Sequence, residues 1–185
     1  MRVEATRSLV NSWDPRDHRE REAKRQFEEH LEKLANASEE DRQPEEDPRK
    51  DVRVMSSAVV LGPQGTLLHA HDLMPTWVSP GGHVEGHEYP WETAQRVTQA
   101  KTGIEAEHPE DGPRVVGVNI QETAEGHTLL DIRFLLFASG DPSNPPAGEH
   151  NKVRWFEDVE ARKIAEESYQ HALEVAHAIR DEAAR

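Results

Sequence analysis

The residues of this chain best suited to chemistry are histidines and acids set at short intervals. His69 and His71 stand two apart at the end of an apolar run, so they share one face if that run is a strand. His83, Glu85 and His87 alternate within a glycine-containing loop, and His127 precedes a segment carrying Asp131 and Arg133. Imidazole is a good ligand for zinc, iron and related transition metals. In its neutral form it also serves as a general base near neutral pH. One expectation is therefore a metal site drawn from His71, His83, His87 and Asp131, with His83, Glu85 and His127 as catalytic groups. The spacing matches no standard zinc motif, and for each histidine taken singly the alternative is a solvated or hydrogen-bonded side chain. His18, His30, His171 and His177 sit in charged, helix-like stretches and read as surface residues.

The loop from Pro80 to Glu88 (Pro-Gly-Gly-His-Val-Glu-Gly-His-Glu) runs into a helix-like segment that ends in Lys101-Thr102-Gly103-Ile104. Positions 97, 100 and 101 fall at i, i+3 and i+4 and so lie on one helix face. They are Val97, Ala100 and Lys101. The first two have no ligating side chain, and the third is a cation that repels a metal.

Gly82, Glu88, Arg96, Gly103 and Ile104 fall at the spacings of the Nudix box, and the segment resembles that superfamily's motif. The resemblance implies an α/β/α sandwich with a mixed sheet. It would put the family's three metal-binding glutamates at positions 97, 100 and 101. Hard cations such as magnesium need oxygen ligands, which this face no longer offers, so the usual magnesium-dependent pyrophosphohydrolase site is expected to be lost. Gly82, Glu88, Arg96 and Gly103 are then scaffold: an ion pair of Glu88 with Arg96, a tight turn at Gly82 and a left-handed helix end at Gly103. A pocket without carboxylates needs no cation to accept an anion. Arg96, Lys101 and Arg133 are expected to contact a phosphate or carboxylate directly, and Trp77 to stack on a planar ligand; for Lys101 the alternative is solvent, and for Trp77 it is core packing.

The elements that must position these groups follow from patterning. Asp14-Pro15 reads as a helix start, and Phe27, Leu31 and Leu34 form a narrow apolar stripe on a helix over about 15–36 that docks on the domain or on a partner. Residues 37–50, polar and acidic with Pro44 and Pro48, read as a linker. This divides the chain into residues 1–50, a charged helical extension, and 51–185, the domain. Strands are expected at 52–61 and 66–70, joined by the turn Gly62-Pro63-Gln64-Gly65. A helix from Pro90 to about Lys101 follows, then strands at 115–123, 129–138 and 152–156, and a long helix over 160–184.

Composition bounds the function. The 185 residues carry a formal net charge of -14 and no cysteine. So acidic a chain offers no basic footprint for nucleic acid and no attraction to an anionic membrane, and disulfide and thiolate chemistry are excluded. With no apolar run long enough to span a bilayer, a cytoplasmic location is expected. Three functions remain. One is a diverged enzyme acting on a small anionic or nucleotide-like metabolite, with zinc or iron favoured over magnesium. Another is a non-catalytic binding or regulatory module. The last is a hydrolase of nucleoside diphosphate derivatives with relocated acids, Glu85, Glu88, Glu92 and Glu122 being those available. Two amphipathic helices on an acidic protein also suit a homodimer.

Overall fold

The computed structural model describes residues 3–36, 52–71, 75–138 and 152–183. The expected linker over 37–50 and the proline-rich loop over 141–148 lie outside them. Two helices, α1 (Val3–Ser12) and α2 (His18–Asn36), precede a sheet of eight strands. The strands are β1 (Val52–Gly62), β2 (Gly65–Ala70), β3 (Trp77–Val78), β4 (Gly81–His83), β5 (Ala106–Glu107), β6 (Arg114–Glu122), β7 (Thr128–Ala138) and β8 (Val153–Phe156). Helix α3 (Pro90–Thr102) lies between β4 and β5, and α4 (Asp158–Ile164) and α5 (Glu167–Ala183) close the chain. The sheet is mixed and flanked by helices on both faces, an α/β/α sandwich.

β1 and β7 form its spine. They pair in parallel from Val52↔Thr128 to Leu61↔Phe137. Both are dense in Val, Leu, Ile and Phe, as strands covered on two faces must be. The free edge of β1 is shared: Met55–Ser57 pairs with β4, and Val60–Gly62 pairs with β2 through the hairpin. β6 runs antiparallel to β7 from Arg114↔Leu135 to Glu122↔Thr128.

Strand periodicity sorts side chains between the two faces. On one face Val54, Ala58 and Val60 of β1 and Ile132, Phe134 and Leu136 of β7 pack with Ala94 of α3. On the other, Val59, Leu61 and Leu135 pack with Tyr169, Leu173 and Ala176 of α5.

The N-terminal helices join the first core. Val10, Phe27 and Leu31 are fully buried and Trp13 nearly so, within the same cluster as the strands. The apolar stripe of α2 thus docks on the domain. The expected helix over about 15–36 is α2, which begins a little later, at His18, and α1 before it was not expected from the sequence. The expected long C-terminal helix is two: it breaks at Ala165, whose backbone is extended with φ -70 and ψ 144. Ile164, beside the break, is 36% exposed. Among the described residues no helix is long and apolar enough to cross a membrane.

Phe27 reports on whether the extension is part of the cooperative unit. Phe27→Ala is expected to destabilise the whole protein by about 3–5 kcal/mol, read as a lower urea midpoint. An unchanged midpoint would mean that α1 and α2 contribute nothing to the stability of the sheet.

Candidate functional site

α3 is positioned by local chemistry at both ends. Pro90 occupies its first turn, where a missing N–H costs nothing. The Glu92 carboxylate accepts the Tyr89 N–H at 2.9 Å. At the other end Gly103 takes a left-handed torsion, φ 70, and donates its N–H to the Gln99 carbonyl at 2.8 Å. Gly82 behaves differently from the expected turn residue. It lies in β4, and its φ is not positive. A Cβ there would stand 2.8 Å from Val97 Cγ1, so the glycine is needed for close approach of helix to strand. Its neighbour Gly81 faces the other way, where a Cβ would stand 2.9 Å from Ser57 Cβ.

Glu88 and Arg96 are bonded to each other. Arg96 Nε donates to Glu88 Oε1 at 2.6 Å, and Nη2 donates to Glu88 Oε2 at 2.8 Å. Thr93 Oγ1 donates to the same carboxylate at 2.6 Å, and the Glu85 N–H approaches it at 3.4 Å. The hydrogen bonds from Arg96 are the largest influence holding the Glu88 carboxyl down at about 2, against burial that pushes it up. Arg96 also donates to the His83 carbonyl at 3.3 Å and pairs with Glu85 at 3.6 Å. The loop is thereby tied to the helix.

The cleft itself opens on the α5 face of the spine, bordered by the start of that helix. Here the alternation that gives Val59, Leu61 and Leu135 to the core gives Met55, Ser57, Asp131 and Arg133 to a cavity of about 280 Å³. His69 and His71 line it from the end of β2, Lys101 from the end of α3 and Glu166 from the link between α4 and α5. Arg133, 4% exposed, is the central cation. Its Nε donates to Asp131 Oδ2 at 3.1 Å, and its Nη2 to Glu166 Oε1 at 2.9 Å and to Ser168 Oγ at 3.2 Å. Its guanidinium carbon lies 5.4 Å from the centre of the Tyr169 ring, a cation–π distance. Ser57 Oγ donates to Asp131 Oδ2 at 2.9 Å. Two buried polar atoms of this network, Asp131 Oδ1 and Arg133 Nη1, have no hydrogen-bond partner among the described residues. Buried donors and acceptors left in this state are costly, and they are satisfied when a ligand or water arrives.

The cleft thus gathers His69, His71, Lys101, Asp131 and Arg133 of the residues singled out from sequence. It does not gather the rest. His83 and His87 are exposed, as are Glu85 and Arg96, and none of the four lines the cavity. His83 pairs with Met55 across the β1–β4 ladder, which puts it on the cleft face but beyond the cavity wall. His127 sits at the β6–β7 turn, its N–H donating to Thr123 Oγ1 at 3.2 Å. Trp77 packs edge-on against Phe156, ring centres 5.1 Å apart. Among the described residues no three His, Asp or Glu side chains are grouped so as to hold a metal ion. Ser57 and Glu166 were missed. Ser57 looks in sequence like one small residue of an apolar strand, although strand alternation puts it on one face with Met55. No local signal marked Glu166.

None of the acids named for a relocated metal site lines the cavity. Glu88 is held by Arg96 and Thr93, and Glu92 caps α3. Glu122 ends β6, exposed and outside the cavity.

A NUDIX domain model matches residues 51–175. No curated protein matches the chain at a significant level. Solved structures share the fold. A C. elegans Ap4A hydrolase is 22% identical with a TM-score of 0.57, covering 69% of this chain and 98% of that one. A NUDIX-family hydrolase from Clostridium perfringens is 19% identical with a TM-score of 0.53, covering 70% and 96%. A NUDIX hydrolase from Nitrosomonas europaea is 23% identical with a TM-score of 0.52, covering 68% and 88%.

The Glu88–Arg96 pair has a pH signature. Glu88 titrates lower in the folded protein than its ordinary value of 4.5, so its contribution is present above that value and is lost as pH falls toward about 2. Glu88→Gln is expected to destabilise the protein by about 2 kcal/mol at neutral pH and to flatten the acid limb of thermal stability over that window. A variant with an unaltered acid limb would show that the pair contributes no net stability.

Proposed function

The chain belongs to the Nudix family, and on that premise we propose that its cleft receives a small, anionic, nucleotide-like metabolite through Lys101 and Arg133, without the magnesium site that the family motif puts on the box helix. The observation that supports this reading is the face of α3. Val97 is 5% exposed and packed against Gly82, Ala100 has no ligating atom, and Lys101 lines the cleft. A magnesium ion needs several oxygen ligands at close range, and this face supplies none, so its residues do not fit the ion. Lys101 brings positive charge into the cavity instead, and Arg133 has one amino group without a partner there. Both groups suit phosphate oxygens.

Within this reading the protein either binds its ligand or turns it over with groups other than the box glutamates. The histidine-metal version has the less support, because His83 and His87 stand outside the cavity wall. A second reading keeps hydrolysis with relocated acids. It is favoured by Asp131 Oδ1, a buried carboxylate oxygen without a hydrogen-bond partner among the described residues, and by Glu166 at the rim, its side chain 64% exposed. Against it, both carboxylates are already bonded to Arg133.

Titration calorimetry with ADP in the presence of EDTA tests the proposal. Binding is expected without magnesium, and Lys101→Ala is expected to weaken it about tenfold, the loss of one charge-assisted contact. Absence of binding, or affinity indifferent to Lys101, would overturn the reading. Magnesium-dependent release of AMP from ADP-ribose or Ap4A would favour the relocated-acid hydrolase instead.

A further inference from the structure

The N-terminal helices build a second cavity beside the cleft. It measures about 560 Å³, twice the volume of the cleft, and lies between the start of α2, β6 and the start of α5. Asn119 and Glu166 line both cavities and form their common border. Gly117 also belongs to its wall, where a Cβ would meet Ala172 at 3.4 Å and Arg133 Cδ at 3.9 Å. The stem of the cleft's central arginine therefore lies directly behind it. The α2 wall falls before the matched family domain of 51–175, so this chamber is an addition to the fold that the domain model describes.

Its chemistry is the complement of the cleft's. Glu20, Glu22, Glu166 and Glu167 line it against a single arginine, Arg19, which is bonded to Glu167. The cleft balances Lys101 and Arg133 against Asp131 and Glu166. Phosphate is repelled from the chamber and accepted by the cleft. Trp13, Val118 and Ile120 give the chamber apolar wall, and Gln26 and Asn119 give it amide groups. Walls of this kind suit a flat organic group that carries amino donors, since carboxylates and amide oxygens accept from them. Volume points the same way. Ligand sites run from about 300 to 1,000 Å³; the cleft lies at the low end, enough for an anionic head, and the chamber has room for the organic remainder.

We propose that the two cavities form one bipartite site, in which the cleft holds the phosphate end of the ligand and the chamber built by α2 holds an amino-bearing ring. The reading rests on the anion-accepting cleft proposed above. The wall is fixed in place across the start of α5. Arg16 donates to the His171 carbonyl at 3.2 Å and to Glu174 at 3.4 Å, and Arg19 bonds Glu167. The extension is thereby a determinant of which phosphorylated compound is chosen, and the cleft residues determine that it is phosphorylated.

The test compares pyrophosphate, ADP and UDP by calorimetry on the full chain. ADP and UDP share the phosphate end and differ in the ring, which bears an amino group only in ADP. ADP is expected to bind about tenfold more tightly than UDP, the equivalent of one hydrogen bond to a charged group. Ala23→Phe, which fills the chamber from α2, is expected to bring ADP down to the affinity of pyrophosphate and to leave pyrophosphate unchanged. His18→Trp, at an exposed position of the same wall, gives the same result if Ala23→Phe does not fold. Equal affinity for ADP and UDP, or ADP binding indifferent to both variants, overturns the bipartite site while pyrophosphate binding upholds the cleft. No binding of pyrophosphate at all overturns the cleft reading and this one with it.

Discussion

The parallel pairing of β1 with β7 is the constraint on which the rest depends. Ten residues of each strand face one another in register, and a one-residue slip would exchange the faces of the whole strand. In the observed register the apolar sets Val54, Ala58, Val60 and Ile132, Phe134, Leu136 are gathered beneath α3, and the opposite set divides along its length. Its far half, Val59, Leu61 and Leu135, is sealed by α5. Its near half, Met55, Ser57, Asp131 and Arg133, lines the cleft, with the start of α5 reaching only Arg133, through Ser168 and Tyr169. One periodicity thus produces both a core and a polar site, and the reach of a single helix decides where one gives way to the other.

The glycine–helix scaffold around the cleft holds although the helix face has changed its chemistry. Gly82 and Gly103, together with the Glu88–Arg96 pair, answer to packing, torsion and local charge, and none of these depends on what positions 97, 100 and 101 carry. Val97 is itself part of the fit of helix to strand, a buried side chain against a glycine. Lys101 and Arg133 line the cleft with positive charge.

Legibility in the sequence followed the range of the interactions. The hairpin at Gly62–Gly65, helix α3 with its proline start and glycine stop, and the strands around Gly126 all follow from local rules, and the structure has them within a residue or two. Helix α1 and the break in the C-terminal helix were hidden: the break at Ala165 carries no glycine or proline to announce it. The cleft was half legible. Lys101, Asp131, Arg133 and His71 belong to it, whereas the alternation of His83, Glu85 and His87 suggested a gathering that the loop geometry does not make. Alternation assigns side chains to a face but says nothing of where along that face a cavity lies.

The sequence by itself determined the family scaffold, the absence of carboxylates from positions 97, 100 and 101 and the acidic character of the chain, because each is a matter of residue identity at short spacing. Only the tertiary structure decided that Glu166 meets Arg133 across the sheet, that Glu20 and Glu22 on α2 face the same chamber as Asn119, and that the histidines of the loop stand apart from Asp131. Those relations join residues far apart in the chain. They are set by strand register and by the docking of helices on buried apolar faces, which no local pattern encodes.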